Sequence, residues 1–180
     1  GQGADGLAFV IQPHANNVGG IGGGLGYKDI TNSIAVEFDT WNNGYVDEND
    51  GNHVGIDVNG NINSVAQTSL DTRMNNGAVW TAWIDYDGFK ELLEVRVAQD
   101  GIRPDEATVS NTIDLEATLG TTDAYIGFTS GTGAAGGDHD ILSFIFHDDY
   151  NPITVIAIPE PSVTSLYFLS LLLLFIKSKR

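Results

Sequence analysis

The run Glu37-Phe38-Asp39-Thr40-Trp41-Asn42-Asn43-Gly44-Tyr45-Val46-Asp47-Glu48-Asn49-Asp50-Gly51-Asn52-His53 is the chain's densest set of side chains that can do chemistry. Glu37 and Asp39 are two residues apart, so on a strand they face one side while Phe38 faces the other. Two carboxylates held side by side repel unless a cation neutralises them. Asn43, Asp47 and Asp50 add oxygens from the following loop, and His53 adds an imidazole at the next strand. All-oxygen ligands suit Ca2+. Two carboxylates with a His suit a transition ion such as Mn2+. One loop therefore offers two adjacent sites that share carboxylates. The same residues also fit a solvated Asp/Asn loop, or a carboxylate pair for acid/base hydrolysis; the crowding of Asn and His favours coordination. A second cluster, Asp138-His139-Asp140, has the types for a metal site or a His–Asp pair. No Gly-x-Ser-x-Gly elbow accompanies it, and it reads as a loop leading into a last strand.

Short strands must position these groups. Leu7–Ile11 reads as a strand; Val36–Asp39, His53–Val58, Val79–Tyr86, Leu92–Val97 and Ala124–Phe128 lean toward period two, and Ile141–Phe146 reads as one more strand. Asp87-Gly88 between two of them is a hairpin signal. Turn clusters fall at Gly19–Gly26, Asn42–Asn52, Asn59–Ser64, Asn75–Gly77 and Gly131–Gly137. Many strands, long Gly/Asn loops and no helical period predict an all-β, antiparallel sandwich. Trp83 and Tyr86 are expected in its core.

Composition agrees. The 180 residues suffice for one domain with a sizeable core. The 22 Gly and scarce helix formers argue against a helical bundle. A net charge of -16 leaves no basic stripe for phosphates, so nucleic acid is excluded as a partner. The absence of Cys excludes disulfides, thiolate metal sites and a Cys nucleophile.

The ends carry separate signals. The chain opens directly into strand-like sequence, as expected of a fragment or a processed product. At the other end Pro159-Glu160-Pro161 precedes Val163–Ile176, 14 mostly apolar residues, and then Lys177-Ser178-Lys179-Arg180. As a helix the run spans about 21 Å, short of the ~30 Å hydrocarbon core, so it crosses only with thinning or Lys snorkelling. The expected organisation is a sandwich over 1–150, a linker over 151–162 and an apolar segment with a basic end over 163–180.

Several motifs in one order carry a family resemblance. Ala35-Val36-Glu37-Phe38-Asp39-Thr40, Asn43 and Asn52-His53-Val54-Gly55-Ile56-Asp57-Val58-Asn59 resemble the metal-binding signature of legume-type (L-type) lectins. Ala4-Asp5-Gly6-Leu7-Ala8-Phe9 resembles the family's Ala-Asp-Gly strand, and Gly22-Gly23-Gly24-Leu25-Gly26 its Gly-rich sugar loop. Trp83-Ile84-Asp85-Tyr86-Asp87, Gly127-Phe128-Thr129 and His139-Asp140-Ile141-Leu142-Ser143-Phe144 resemble later landmarks. The resemblance implies a jelly-roll, concanavalin-like sandwich, N-terminally truncated because the family's early strands have no counterpart here, with a sheet edge left uncovered.

It also implies roles. Glu37, Asp39 and His53 match transition-metal ligands, with Asp39 bridging to calcium. Asn43 and the Trp41 carbonyl match calcium ligands. Asp47 is chosen as the further acid, with Asp50 and Glu48 as alternatives, and Ser64 matches a water-mediated ligand. Asp5, Asn43 and Gly23 match the sugar-holding set, Trp41 the stacking aromatic, and Ala134 and Ala135 the loop that tunes sugar choice. The implied function is Ca2+/Mn2+-dependent glycan binding by a non-enzyme. A glycoside hydrolase using Glu37 and Asp39, and a structural matrix protein, are the alternatives. The C-terminal Pro-Glu-Pro, apolar run and basic end resemble the PEP-CTERM sorting signal of Gram-negative bacteria. That implies export to the cell envelope, an exosortase-type sorting enzyme as partner and a transient membrane anchor. Whether the chain forms a homo-oligomer stays open.

Overall fold

A computed structural model describes residues 3–133 and 135–152. Among the described residues eight strands form: β1 (Gly6–Gln12), β2 (Ile34–Asp39), β3 (His53–Val58), β4 (Asn61–Ser69), β5 (Thr81–Asp87), β6 (Leu92–Ala98), β7 (Val109–Thr112) and β8 (Tyr125–Gly131). They make a five-stranded sheet, β4-β3-β2-β1-β8, and a three-stranded sheet, β5-β6-β7. Every pairing is antiparallel.

The two sheets share one core. Phe9, Ile34, Val36, Val54 and Ile56 of the larger sheet meet Leu93, Val95 and Val109 of the smaller. Val54, Ile56 and Val95 are fully buried, and each such side chain contributes about 1.5–3 kcal/mol. Alternation then sends the intervening residues to the opposite face of the five-stranded sheet. On β1 and β2 these are Ala8, Val10 and Ala35, which pack with Tyr27 and Ile30. The same parity carries Glu37 and Asp39 to that face.

The structure departs from the sequence reading in four places. Asn59–Ser64, predicted as a turn cluster, contains the tight turn at Asn59-Gly60 but also the start of β4. Its Asn and Ser side chains look like turn residues, yet the ladder with β3 supplies the backbone partners that override them. Ile141–Phe146 forms no strand. No neighbouring ladder receives it among the described residues; Phe144 instead packs against the rings of Phe9 and Phe128, with centroids 6.2 and 5.2 Å away. A short helix, α1 (Leu115–Leu119), was not foreseen; Asp114 caps it by accepting from Ala117 N at 2.8 Å. Finally, Trp83 and Tyr86 do not share the core. Tyr86 packs against it and donates its hydroxyl to the Ile113 carbonyl at 3.0 Å. Trp83, three residues away, lies buried on the other face beside its cross-strand partner Arg96.

The hairpin at Asp87-Gly88 forms as read: β5 pairs with β6, and Asp87 Oδ1 accepts from Phe89 N at 3.1 Å. The outer edge of β8 carries no strand among the described residues. Ala134 and the linker and apolar segments from residue 153 onward lie outside the described residues.

Candidate functional site

β2 and β3 build the centre of the site. Their register pairs Asp39 with His53 and Glu37 with Gly55. Glu37, Asp39 and His53 are all buried, and each offers a ligand atom within 4.8 Å of the others. His53 Nε2 lies 3.0 Å from Glu37 Oε1, while His53 Nδ1 is buried without a partner. Asp39 Oδ1 accepts from Trp41 N at 2.7 Å, which turns the chain out of the strand.

The following loop returns through a 3-10 turn, Gly44–Asp47. That turn buries Asp47, whose Oδ2 accepts from Asn43 N. Glu48 is exposed, in a left-handed conformation at φ 54. Asp50 caps Asn52 N through Oδ1 at 2.9 Å, and its Oδ2 is buried without a partner. So Asp47 joins the buried cluster and Glu48 stands outside it. Ser64, on β4, donates toward Glu37 Oε1 at 2.6 Å.

The electrostatics follow from this crowding. Burial raises the Asp39 carboxyl to about 8, and the Asp47 and Glu37 charges push the same way. Burial likewise raises Asp47, helped by Glu37 and Asp5. For His53, burial pulls down, but the hydrogen bond and charge of Glu37, with Asp39, outweigh it and the pKa rises. All three groups hold protons more tightly in the folded chain than in the unfolded one. The stability they contribute is therefore complete at low pH and is lost as pH rises through the folded pKa values. For Asp39 that window runs from about 4 to about 8. Protein stripped of metal is expected to melt at a higher temperature at pH 5 than at pH 8. Metal-loaded protein should show the opposite order, because ligands must lose protons to bind a cation. Thermal melts at both pH values, with and without EDTA, check this; parallel trends in the two forms would refute it.

Asp5 lies at the mouth beside this cluster. Its backbone is clamped: Asp5 N donates to Gly131 O at 2.8 Å, and Asp5 O accepts from Thr40 N at 2.9 Å and Thr40 Oγ1 at 3.1 Å. The Ala4–Asp5 peptide bond is cis. Asp5 is 4% exposed, and its Oδ2 has no partner. Burial raises its pKa, while His139 and the Asn43 side chain pull it back. The Gly-rich loop meets Asn43 so closely that a Cβ on Gly23 would lie 2.6 Å from Asn43 Nδ2. The loop after β8 closes the other side: a Cβ on Gly133 would lie 3.4 Å from Asp5 Oδ2, and Gly133 N donates to the Ala135 carbonyl at 3.1 Å.

The fold thus brings Asp5, Gly23, Asn43 and the Ala135 loop to one mouth, with Glu37, Asp39, Asp47 and His53 behind it. Trp41 is half-buried between them in the chain. Sequence reasoning weighed His139 with Asp138 and Asp140 and read it as loop, without linking it to Asp5. No spacing rule gives that link; β8 delivers its loop beside the start of β1, near enough for His139 to lower the Asp5 pKa.

A model of the legume lectin domain matches residues 1–160. L-type lectin-domain containing receptor kinase VIII.1 of Arabidopsis thaliana is 32% identical over 151 residues, 81% of this chain and 21% of that protein. The lectin from Bauhinia forficata, solved in complex with GalNAc, superposes with a TM-score of 0.61 at 34% identity, covering 73% of this chain and 60% of that one. Lectin I-B4 from Griffonia simplicifolia, solved in a metal-free form, gives a TM-score of 0.61 at 33% identity, covering 77% and 60%. The chain spans less than two thirds of each of these proteins.

Proposed function

Because this chain belongs to the legume lectin domain family, we propose that it binds carbohydrate at the Asp5 mouth, in a site organised by Ca2+ and a transition ion such as Mn2+. The observation that carries the proposal is Asp5. Its backbone is fixed at three points, its buried carboxylate keeps one oxygen without a partner, and the Asn43 side chain that neighbours it lies against Gly23. A hexose presents neighbouring hydroxyls that both donate and accept. A carboxylate accepts two of them, while an amide and a backbone N–H donate back. Trp41 supplies an apolar face for the ring, and Ala135, in the loop after β8, shapes the far wall.

The donor set fits the cations. Glu37, Asp39 and His53 would hold the transition ion; Asp39, Asn43, Asp47 and the Trp41 carbonyl would hold calcium. Bound there, the cations supply positive charge that lets these carboxylates ionise together. Asn43 then serves both the calcium site and the sugar, which ties recognition to metal. Its amide orients the sugar, and Gly23 leaves room for backbone approach.

The hydrolase reading gains nothing from the geometry. Glu37 and Asp39 sit on one face of one strand, whereas hydrolysis needs carboxylates facing each other across a sugar, ~5–9 Å apart. The test is a glycan array probed with the Ca2+/Mn2+-loaded chain, alongside a reducing-sugar assay on polysaccharides. Selective array binding with no new reducing ends is expected. Silence across the array would favour a structural matrix protein, and new reducing ends a hydrolase.

Envelope export is a separate proposal, supported by the sequence of residues 159–180: an exosortase-type enzyme would read Pro159-Glu160-Pro161 and remove the transient anchor. The relatives named above are plant proteins. No helix among the described residues is long and apolar enough to cross a membrane.

A further inference from the structure

Glu37 has a polar support on the side away from Asp39. Ser64 Oγ lies 2.6 Å from Glu37 Oε1 and 2.8 Å from Asp57 Oδ1. Asp57 is 0% exposed, and its Oδ2 is buried without a partner. Carboxylates are almost never fully buried without a partner that explains them. Here its side-chain neighbours are the Ser64 hydroxyl and Glu37 itself, and both lead to a predicted metal ligand.

Three strands assemble the arrangement. β2 supplies Glu37, β3 supplies Asp57 and β4 supplies Ser64. Glu37 and Asp57 face the same side of the sheet by alternation. Gly55 stands directly opposite Glu37. A Cβ there would lie 2.5 Å from Glu37 Oε1 and 2.3 Å from Ser64 Oγ, so only glycine leaves space for the serine to reach the glutamate. The β3–β4 ladder shifts register between Ile56 and Val58, bracketing Asp57. Such irregularities re-aim side chains beside functional sites.

We propose that Asp57 is a positioning residue: acting through Ser64, in the space left by Gly55, it holds the Glu37 carboxylate in the orientation that serves the transition ion. This rests on the metal reading above and extends it to residues behind the ligands. Outer partners of this kind typically change metal affinity ten- to a hundredfold when removed. The support also explains the company of Oε1. That one oxygen meets both Ser64 Oγ and His53 Nε2, so rotation of the carboxylate would break two contacts at once.

The test titrates Mn2+ into the full chain held in Ca2+, reading free and bound Mn2+ by electron paramagnetic resonance. Ser64→Ala and Asp57→Ala are each expected to weaken Mn2+ binding about ten- to a hundredfold and to alter the bound-ion spectrum. The double variant should be no weaker than the weaker single one, because both act along one path. Asp57→Asn and Ser64→Thr keep hydrogen-bonding groups and should restore binding. If Asp57→Ala fails to fold, Asp57→Val, near in volume and without a hydrogen-bonding group, takes its place beside Ser64→Ala. Unchanged Mn2+ affinity in Ser64→Ala, or losses that multiply in the double variant, overturn the proposal while the metal reading stands. An unmodified chain that takes up no Mn2+ overturns both.

Discussion

Asp5→Ala is expected to eliminate glycan binding while fold and metal content stay intact. The side chain, not the backbone, is the predicted sugar contact. Truncation leaves the clamps from Gly131 and Thr40 in place, because all of them use Asp5 backbone atoms. It removes a carboxylate that accepts two sugar hydroxyls. Losing a charge-assisted pair of hydrogen bonds costs ~3 kcal/mol, roughly a hundredfold in affinity. A lectin-type affinity weakened that far falls below detection on an array. Asn43→Ala is the contrast. The Asn43 side chain meets Gly23 and is also a proposed calcium ligand, so Asn43→Ala should lose sugar and calcium together. Elemental analysis of both variants beside their array profiles checks the pair. Equal metal loss in the two would mean that Asp5 is misassigned; full glycan binding by Asp5→Ala would remove the site.

Chelation should have an effect as large. EDTA-dialysed, verified metal-free protein is expected to lose glycan binding and to melt at a lower temperature. The reason is the buried cluster itself. Glu37, Asp39 and Asp47 are all at most 5% exposed, with His53 the one imidazole among them. Without a cation, burial and mutual repulsion drive Asp39 to about 8 and raise Asp47, so at neutral pH the loop must hold protons or move apart. Either change disturbs Asn43, whose N–H is tied to Asp47. His53→Ala should impair the transition-ion site first, with calcium following through the shared Asp39. Unchanged glycan affinity in the metal-free protein would sink the organising role of the cations.

Much of the scaffold was legible because β structure writes itself in period two. Val36-Glu37-Phe38-Asp39 declares which face is core and which is chemistry, and the core cluster follows that division. The same parity places Gly55 and Asp57 with Glu37. What failed was judged from residue type alone. Asn61 and Ser64 look like turn residues, but a neighbouring strand supplies hydrogen bonds that a propensity does not contain. Ile141–Phe146 has strand-forming side chains and no ladder among the described residues to join.

By itself, the sequence determined the sandwich class, the alternation that turns Glu37 and Asp39 to one face, and the loops rich in glycine and amide oxygen. Those are local properties: period, residue type and short spacing. Only the tertiary structure showed which of Asp47 and Glu48 is buried and which faces solvent, because one 3-10 turn buries Asp47 and exposes Glu48. It alone brought Asp5 to Asn43, His139 to Asp5 and Asp57 through Ser64 to Glu37. Those meetings depend on strand order and register. Both are set by long-range pairing between segments many residues apart, which no local pattern encodes.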